Sequence, residues 1–509
     1  MGVTKCRRLL EKAGFACVRQ GSDQRDHSWT VAGMGAQSVH VLARVGKARR
    51  ARHGPSERMR VKAIKTLLVL SAVLTGMTLN GCAGRGPQND GPYPGDDVNS
   101  PEAMRGRIMD RRVRPGITVL LDDSIKLVAG KRVALVTNQT GVDEQGRRSI
   151  DLLFSDSRAQ RAGIKLVKLF APEHGARGTE EREHLADDRD ERTGLPVYSL
   201  YKETTVGPPD SLLQDVDLLI VDLQDIGTRT WTYVGVMLYT MQAGARRGIP
   251  VVVLDRPNPL SGAVAEGALL DSTIADPSPP TPGGKTNGFA LYPMPLRHGL
   301  TMGEMARLFQ AQFKMGTRLS VVPVRNLRRT MWFDDTKLPW VRPSPNIPNL
   351  TSALIYPALV PFESSNVSVG RGTNEAFQRF GAPWLRADSV ARLLEDLSLT
   401  GVRFRAERFT PSKPGDGKYD GRAIPGIRIE VTDRERIQPS RVGAAILWAL
   451  ARVHHDSLQL RPAAFDERLG SARVREALLG GADPDAVLDR VLPAVIAFEK
   501  DARRFHLYR

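Results

Sequence analysis

Five short apolar runs between residues 131 and 254 constrain the fold of this 509-residue chain more than any other feature. Each is the length of a strand, and four of them stop at a polar cluster. Lys131 to Thr137 is followed by Asn138-Gln139-Thr140-Gly141. Ile164 to Phe170 runs into Ala171-Pro172-Glu173-His174-Gly175. Leu195 to Leu200 is a shorter third run. Val216 to Leu223 ends at Gln224-Asp225-Ile226-Gly227-Thr228-Arg229, and Ile249 to Leu254 ends at Asp255-Arg256-Pro257-Asn258-Pro259. Helical stretches fall between them: Ser149 to Phe154, and Thr230 to Arg247 with Gly248 as its stop. Strands alternating with helices predict a parallel sheet covered on both faces, a Rossmann-like α/β architecture. Ligands of such sheets bind outside the carboxyl ends of the strands. The polar clusters are therefore expected to serve one cleft.

The length predicts more than one domain. A Rossmann-like domain is expected over 113–290, followed by a smaller α/β domain over 291–509 that completes the cleft. In the latter, Thr301 to Phe313 is amphipathic, with Thr301 and Glu304 spaced as a capping box. Strands are predicted at Leu319 to Val324 and Ile427 to Val431, and helices at 389–397, 440–455 and 484–499. Trp332 to Leu350 is Pro-rich and reads as an irregular segment over the cleft, with Trp340 packed against prolines.

The net charge of +17 is uneven: residues 1–81 hold 15 Lys+Arg against 4 Asp+Glu. Met59 to Lys65 is basic, Thr66 to Leu79 is apolar, and Asn80-Gly81-Cys82 follows. This is the layout of a secretory signal, and it resembles a bacterial lipoprotein signal with Cys82 as the acylated residue. The expectation is a lipid-anchored, periplasmic protein with a signal at 59–82 and a flexible Gly/Pro/Asp/Asn-rich tether at 83–112. Residues 1–58 do not fit ahead of a signal and read as an extension upstream of a true start near Met59 or Val61. Within them, Cys6 to Thr30 resembles the opening of a HicA-type toxin. Asp23 stands where that family has its catalytic histidine, so no function is carried over. With the basicity concentrated there, no nucleic-acid surface is expected on the folded body. The three cysteines, Cys6, Cys17 and Cys82, lie outside it, which excludes disulfides and Cys-ligated metal there.

Common cofactor and acyl-transfer signatures are missing. No Gly-x-Gly-x-x-Gly follows the first strand, and no Gly-x-Ser-x-Gly occurs. Gly284-Lys285-Thr286 has Pro279 where a P-loop needs glycine. His174 and His184, with Glu180, Glu181 and Glu183 between them, match no zinc spacing. The strand ends offer Asn138, Glu173, His174, Asp222, Asp225, Arg229, Tyr233, Asp255, Arg256 and Asn258. Carboxylates with amides, arginines and aromatics suit a sugar, and Trp231 or Tyr233 can stack on a pyranose face. Glycosidic cleavage needs one carboxyl as acid and a second as base or nucleophile.

The motifs Thr137-Asn138-Gln139-Thr140-Gly141, Pro172-Glu173-His174-Gly175, Asp222-Leu223-Gln224-Asp225-Ile226-Gly227, Leu254 to Gly262, Leu291 to Gly299 and Asn366-Val367-Ser368-Val369-Gly370-Arg371-Gly372-Thr373 resemble the NamZ family, in order, over 115–509. The resemblance implies an exo-β-N-acetylmuramidase acting on peptidoglycan-derived MurNAc-GlcNAc fragments in cell-wall turnover, with no metal or cofactor. It implies a cleft between the two domains and Glu173 as the catalytic glutamate, with His174 orienting it. Some relatives carry Glu where this chain has Val369, which leaves Asp225 and Glu363 as candidates for the second carboxylate. Asn138, Gln224, Arg229, Tyr233, Arg256, Asn258, Asn366 and Arg371 form the expected substrate-binding set. Arg371 or Arg229 would read the lactyl carboxylate that distinguishes MurNAc from GlcNAc. Two alternatives stay open: a non-catalytic muropeptide-binding lipoprotein, and a metal-dependent hydrolase using His174.

Overall fold

The computed structural model describes residues 112–509, apart from 174, 178–186, 201–206, 279–287 and 289, together with three N-terminal strands. Those strands, Ala16–Arg19, Ser28–Ala32 and Val39–Leu42, form an antiparallel sheet in a unit, Met1–Asp96, separate from Asp97–Arg509. Cys82, the expected signal and most of the expected tether lie outside the described residues.

The body is built on a seven-stranded sheet. Its strands are β1 (Arg132–Thr137), β2 (Lys165–Ala171), β3 (Asp188–Arg189), β4 (Pro196–Ser199), β5 (Leu218–Asp222), β6 (Val251–Leu254) and, beyond the β7–β8 ribbon described below, β9 (Leu319–Val322). Their spatial order is β9-β6-β5-β1-β2-β4-β3. All pairs are parallel except the β3–β4 edge. The chain leaves β1 toward β2 and later returns to its other side with β5, so the order reverses at β1. Such a switch point opens a crevice at the carboxyl ends.

Alternation along the strands supplies two cores. Val133, Leu135, Ile220 and Leu254 face α1 (Gly116–Asp123) and α2 (Ser149–Ser155). Ala134, Val136, Val221 and Val253 face α4 (Thr232–Arg247) and α5 (Met302–Gln312); the short α3 is Ser157–Arg161. Gly248 ends α4 at φ 64°, the left-handed stop that its sequence predicts. The capping box of α5 is formed: Glu304 N donates to Thr301 Oγ1 at 3.3 Å and Thr301 N to Glu304 Oε2 at 3.1 Å. Because β9 pairs with β6, the sheet runs past residue 290, where the sequence reading ended the first domain. A short edge strand inside a polar stretch carries too little pattern to assign it to a sheet 65 residues upstream.

The rest of the chain holds a ribbon of β7 (Glu266–Leu269) with β8 (Pro295–Arg297), then α6 (Leu350–Leu359), β10 (Arg379–Gly381), α7 (Ala387–Asp396), β11 (Val402–Phe409), β12 (Ile424–Val431), α8 (Pro439–Val453), α9 (Pro462–Leu469), α10 (Ala472–Leu479) and α11 (Pro484–Ala502). The order β10-β12-β11 is antiparallel. Its apolar side chains join the α4 core, so both halves share one interior. Gly443 lets α8 meet α6 closely, since a Cβ there would lie 2.7 Å from Ala358 O.

Candidate active site

Strand β2 ends at Ala171, and Pro172 stops the ladder. The chain turns after Pro172, with Gly175 N donating to Pro172 O at 3.2 Å and Gly175 at φ 79°. The turn delivers Glu173, half-buried, into a cleft of about 620 Å³. Beyond it, Arg177 anchors the chain through Asp190 and, at 3.2 Å, Asp151. His174 lies outside the described residues.

Residues 344–347, part of the Pro-rich segment, line the cleft. The two residues before them are held to the strand ends, Gln139 Nε2 donating to Arg342 O at 3.0 Å and Tyr233 OH donating to Pro343 O at 2.7 Å. Burial, and then the charge of Glu173, raises the Tyr233 pKa well above its usual value. Tyr233 is thus a neutral phenol within the field of Glu173. Trp340 packs edge-on against Phe333, 5.0 Å between centroids.

The opposite wall comes from the carboxy-terminal half. A 3₁₀ turn after α6, Val360–Ser364, carries Glu363. Arg371 Nε lies 2.6 Å and Nη2 2.5 Å from Glu363 Oε1. Burial lowers the Arg371 pKa, but the charge of Glu363 and the hydrogen bond to it outweigh burial and raise it. Edge-to-face rings join the two walls: Tyr233–Trp231 at 5.2 Å, Trp231–Tyr356 at 5.9 Å and Tyr356–Phe377 at 4.7 Å. The Arg371 guanidinium sits 5.5 Å from the Phe377 centroid. Glu173, Glu363 and Arg371, read separately from the sequence, line one cleft.

The other expected residues sit behind the cleft, in its frame. Asn138 Oδ1 accepts from Thr140 N and Oγ1 at 3.0 and 2.6 Å. Gln224 Nε2 donates to Asp225 O and Pro257 O, both at 2.8 Å. Asp225 Oδ2 accepts from Gly227 N at 2.6 Å and faces His298 Nε2 at 3.3 Å. Arg256 binds buried Asp222 through Nε at 2.6 Å and Nη2 at 3.0 Å. Asn258 Nδ2 donates to Leu300 O at 2.9 Å. Arg229 donates to Glu467 O and Arg468 O, both at 2.9 Å. Asn366 ties to Ser457 O at 2.8 Å and Gln459 N at 3.0 Å. None of these seven lines the cleft. Thr230, Tyr356, Phe377, Ser412, Lys413 and Arg468 do, and the sequence reading gave none of them a role at the site. Thr230 adjoins a motif residue; the others carried no local signal, since their elements meet only in the fold.

Two family descriptions match, "Exo-beta-N-acetylmuramidase NamZ, N-terminal" over residues 133–351 and the corresponding C-terminal part over 354–508. The chain belongs to the NamZ family. It is 36% identical over 411 residues to the peptidoglycan β-N-acetylmuramidase NamZ of Bacillus subtilis (strain 168), spanning 80% of this chain and 94% of that one. Two solved structures of DUF1343 family proteins from Bacteroides fragilis NCTC 9343 are similar. One has TM-score 0.69 at 31% identity, over 79% of this chain and all of the other. The second has TM-score 0.60 at 26% identity, over 78% and 99%.

The two NamZ parts meet where α6 begins, and each contributes one glutamate to the cleft: Glu173 from the first and Glu363 from the second. Val369 is fully buried in the shared core and accepts a hydrogen bond from Phe377 N through its carbonyl at 2.8 Å.

Proposed function

We propose that this chain is an exo-β-N-acetylmuramidase, a glycoside hydrolase that releases terminal non-reducing MurNAc from peptidoglycan fragments during cell-wall turnover. The observation that carries the reading is the pair Glu173 and Glu363 in one cleft of a NamZ-family chain. Glycosidic cleavage needs a carboxyl acid and a second carboxylate. Glu173 serves as the acid–base group on the strand-end turn. Glu363, paired with the Arg371 guanidinium, is the partner carboxylate. Asp225, the other candidate, lies behind the cleft wall with its Oδ2 engaged by Gly227 N. Trp231 and Tyr356, which line the cleft, supply apolar surface for a sugar ring. The signal-like segment before Cys82 supports a lipid-anchored periplasmic enzyme.

The test is release of para-nitrophenol from its β-MurNAc glycoside by the purified protein, by Glu173→Gln and with chelator present. Release by the parent, loss of about 10²-fold or more in the variant, and no effect of chelator are expected. Binding of muropeptides without release would replace the enzyme with a binding protein. Loss on chelation would replace it with a metal-dependent hydrolase.

A further inference from the structure

The segment between β11 and β12, residues 410–423, forms one side of the cleft through Ser412, Lys413 and Gly415. It is fastened to the stretch that carries Glu363 and Arg371. Ser412 N donates to Gly372 O at 2.9 Å. Gly372 is required at this contact, because it adopts φ +75° and a Cβ would lie 2.7 Å from Ser412 O. Lys418 Nζ donates to the carbonyls of Phe362, Glu363 and Val367 at 3.3, 3.1 and 3.1 Å. Tyr419 OH donates to Asn366 O at 2.5 Å.

On this fixed segment Lys413 is held in an uncommon conformation. Its φ is +47°, the left-handed region that non-glycine residues rarely occupy. Its N–H is fixed by Asp420 Oδ1 at 2.7 Å. Such a conformation persists where the surrounding structure holds it. The neighbouring cations are engaged: Arg371 by Glu363, Lys418 by three carbonyls and Asp416 at 3.5 Å, and Arg468 by Ala464 O at 3.0 Å. The Lys413 ammonium, exposed at the cleft, has no ion pair or hydrogen bond to the described residues. An unmatched cation on the wall of a cleft favours an anionic ligand group.

We infer that Lys413 is the specificity-determining cation of the cleft, pairing with a carboxylate on the substituent at O3 of the bound sugar. The inference rests on the muramidase reading, because that substituent is what distinguishes MurNAc from GlcNAc. It gives Lys413 the recognition that the motif alone assigned to Arg371 or Arg229. The carboxylate has two sources of the same chemistry: the lactyl group itself, or the end of a peptide attached to it.

Steady-state kinetics on three chromogenic β-glycosides separate these sources: MurNAc, MurNAc with its lactyl carboxyl as methylamide, and MurNAc bearing an acidic dipeptide. Lys413→Gln is expected to raise KM on the acidic substrate roughly three- to tenfold relative to the methylamide, with kcat moving less. Added salt should shrink the difference, and Lys413→Arg should restore most of it. A penalty on MurNAc identifies the lactyl carboxylate. A penalty confined to the dipeptide substrate identifies the peptide. Equal penalties on charged and neutral substrates, or none, overturn the inference; matching melting temperatures exclude a folding defect. If the parent hydrolyses none of the three, the muramidase reading falls. Calorimetric titration with MurNAc and GlcNAc then decides Lys413 separately. A MurNAc preference lost in Lys413→Gln upholds its role; a preference retained, or absent in the parent, overturns it.

Discussion

Arg371 grips Glu363 through two nitrogens on one oxygen, with Nε 2.6 Å and Nη2 2.5 Å from Oε1. Neither contact engages Oε2. The guanidinium is clamped from below by the Phe377 ring, and Phe377 itself is held at φ 64°, a conformation rare for an aromatic residue. The pair is thus oriented as well as charge-matched.

Arg371→Met should therefore remove the counter-charge from a carboxylate facing the cleft and lower kcat/KM by roughly 10- to 100-fold. Arg371→Lys keeps the charge but offers one nitrogen, so it should recover only part of the loss. Activity of Arg371→Lys equal to the parent would show that the two-nitrogen geometry is dispensable.

Arg256 is expected to act on the fold. It neutralises Asp222, which is fully buried at the end of β5 and also accepts from Ser149 Oγ at 2.5 Å. Arg256→Met leaves that charge unpaired and should cost about 3–5 kcal/mol in urea unfolding. KM of the fraction that stays folded should match the parent. A raised KM with unchanged stability would return Arg256 to the substrate-binding set.

Position 369 cannot supply a cleft acid in this chain. Val369 has no exposed surface and packs in the shared core. Val369→Glu should lower stability by at least about 3 kcal/mol, the cost of a buried carboxyl without a partner. It should leave a Glu363→Gln enzyme inactive. Restored turnover in the double variant would contradict the buried placement.

Asp255 sets a pH dependence of stability. Burial raises its pKa to about 6, against hydrogen bonds from Tyr508, Gly303 and Thr301 that lower it. The unfolded value is ~3.9, so between about pH 4 and pH 6 the folded state holds the proton more tightly. The contribution of this group favours folding below pH 4 and is lost as pH rises through about 6. The Tyr508 hydroxyl, 2.5 Å from Oδ2, supports the ionised form. Tyr508→Phe should therefore cost about 1–3 kcal/mol at pH 8 and less at pH 5. Denaturant unfolding at both pH values measures this; an equal or larger loss at pH 5 would contradict it.

Much of the fold was legible because its signals are local. The apolar runs of β1, β2, β5 and β6, the Gly248 stop and the Thr301–Glu304 capping box each act within a few residues of chain. The turn at Pro172 marked Glu173 in the same way. Helix α6 was not assigned from sequence, since Pro357, a residue that disfavours helix interiors, lies inside it. Strand β9 was separated from its sheet because its pairing with β6 is set by packing across the intervening helix.

What sequence could not determine is which polar residues at the strand ends remain available to a ligand. Asn138, Gln224, Arg256 and Asn258 have the same chemistry whether they bind a sugar or satisfy buried backbone. Only the fold engages them with Thr140, Pro257, Asp222 and Leu300. Conversely, Glu363, Tyr356 and Lys413 became cleft residues only when the carboxy-terminal half closed over the sheet. Local propensity acts through neighbours in sequence. A cleft shared by Glu173 and Glu363 depends on a core common to two halves, and that is settled only by tertiary packing.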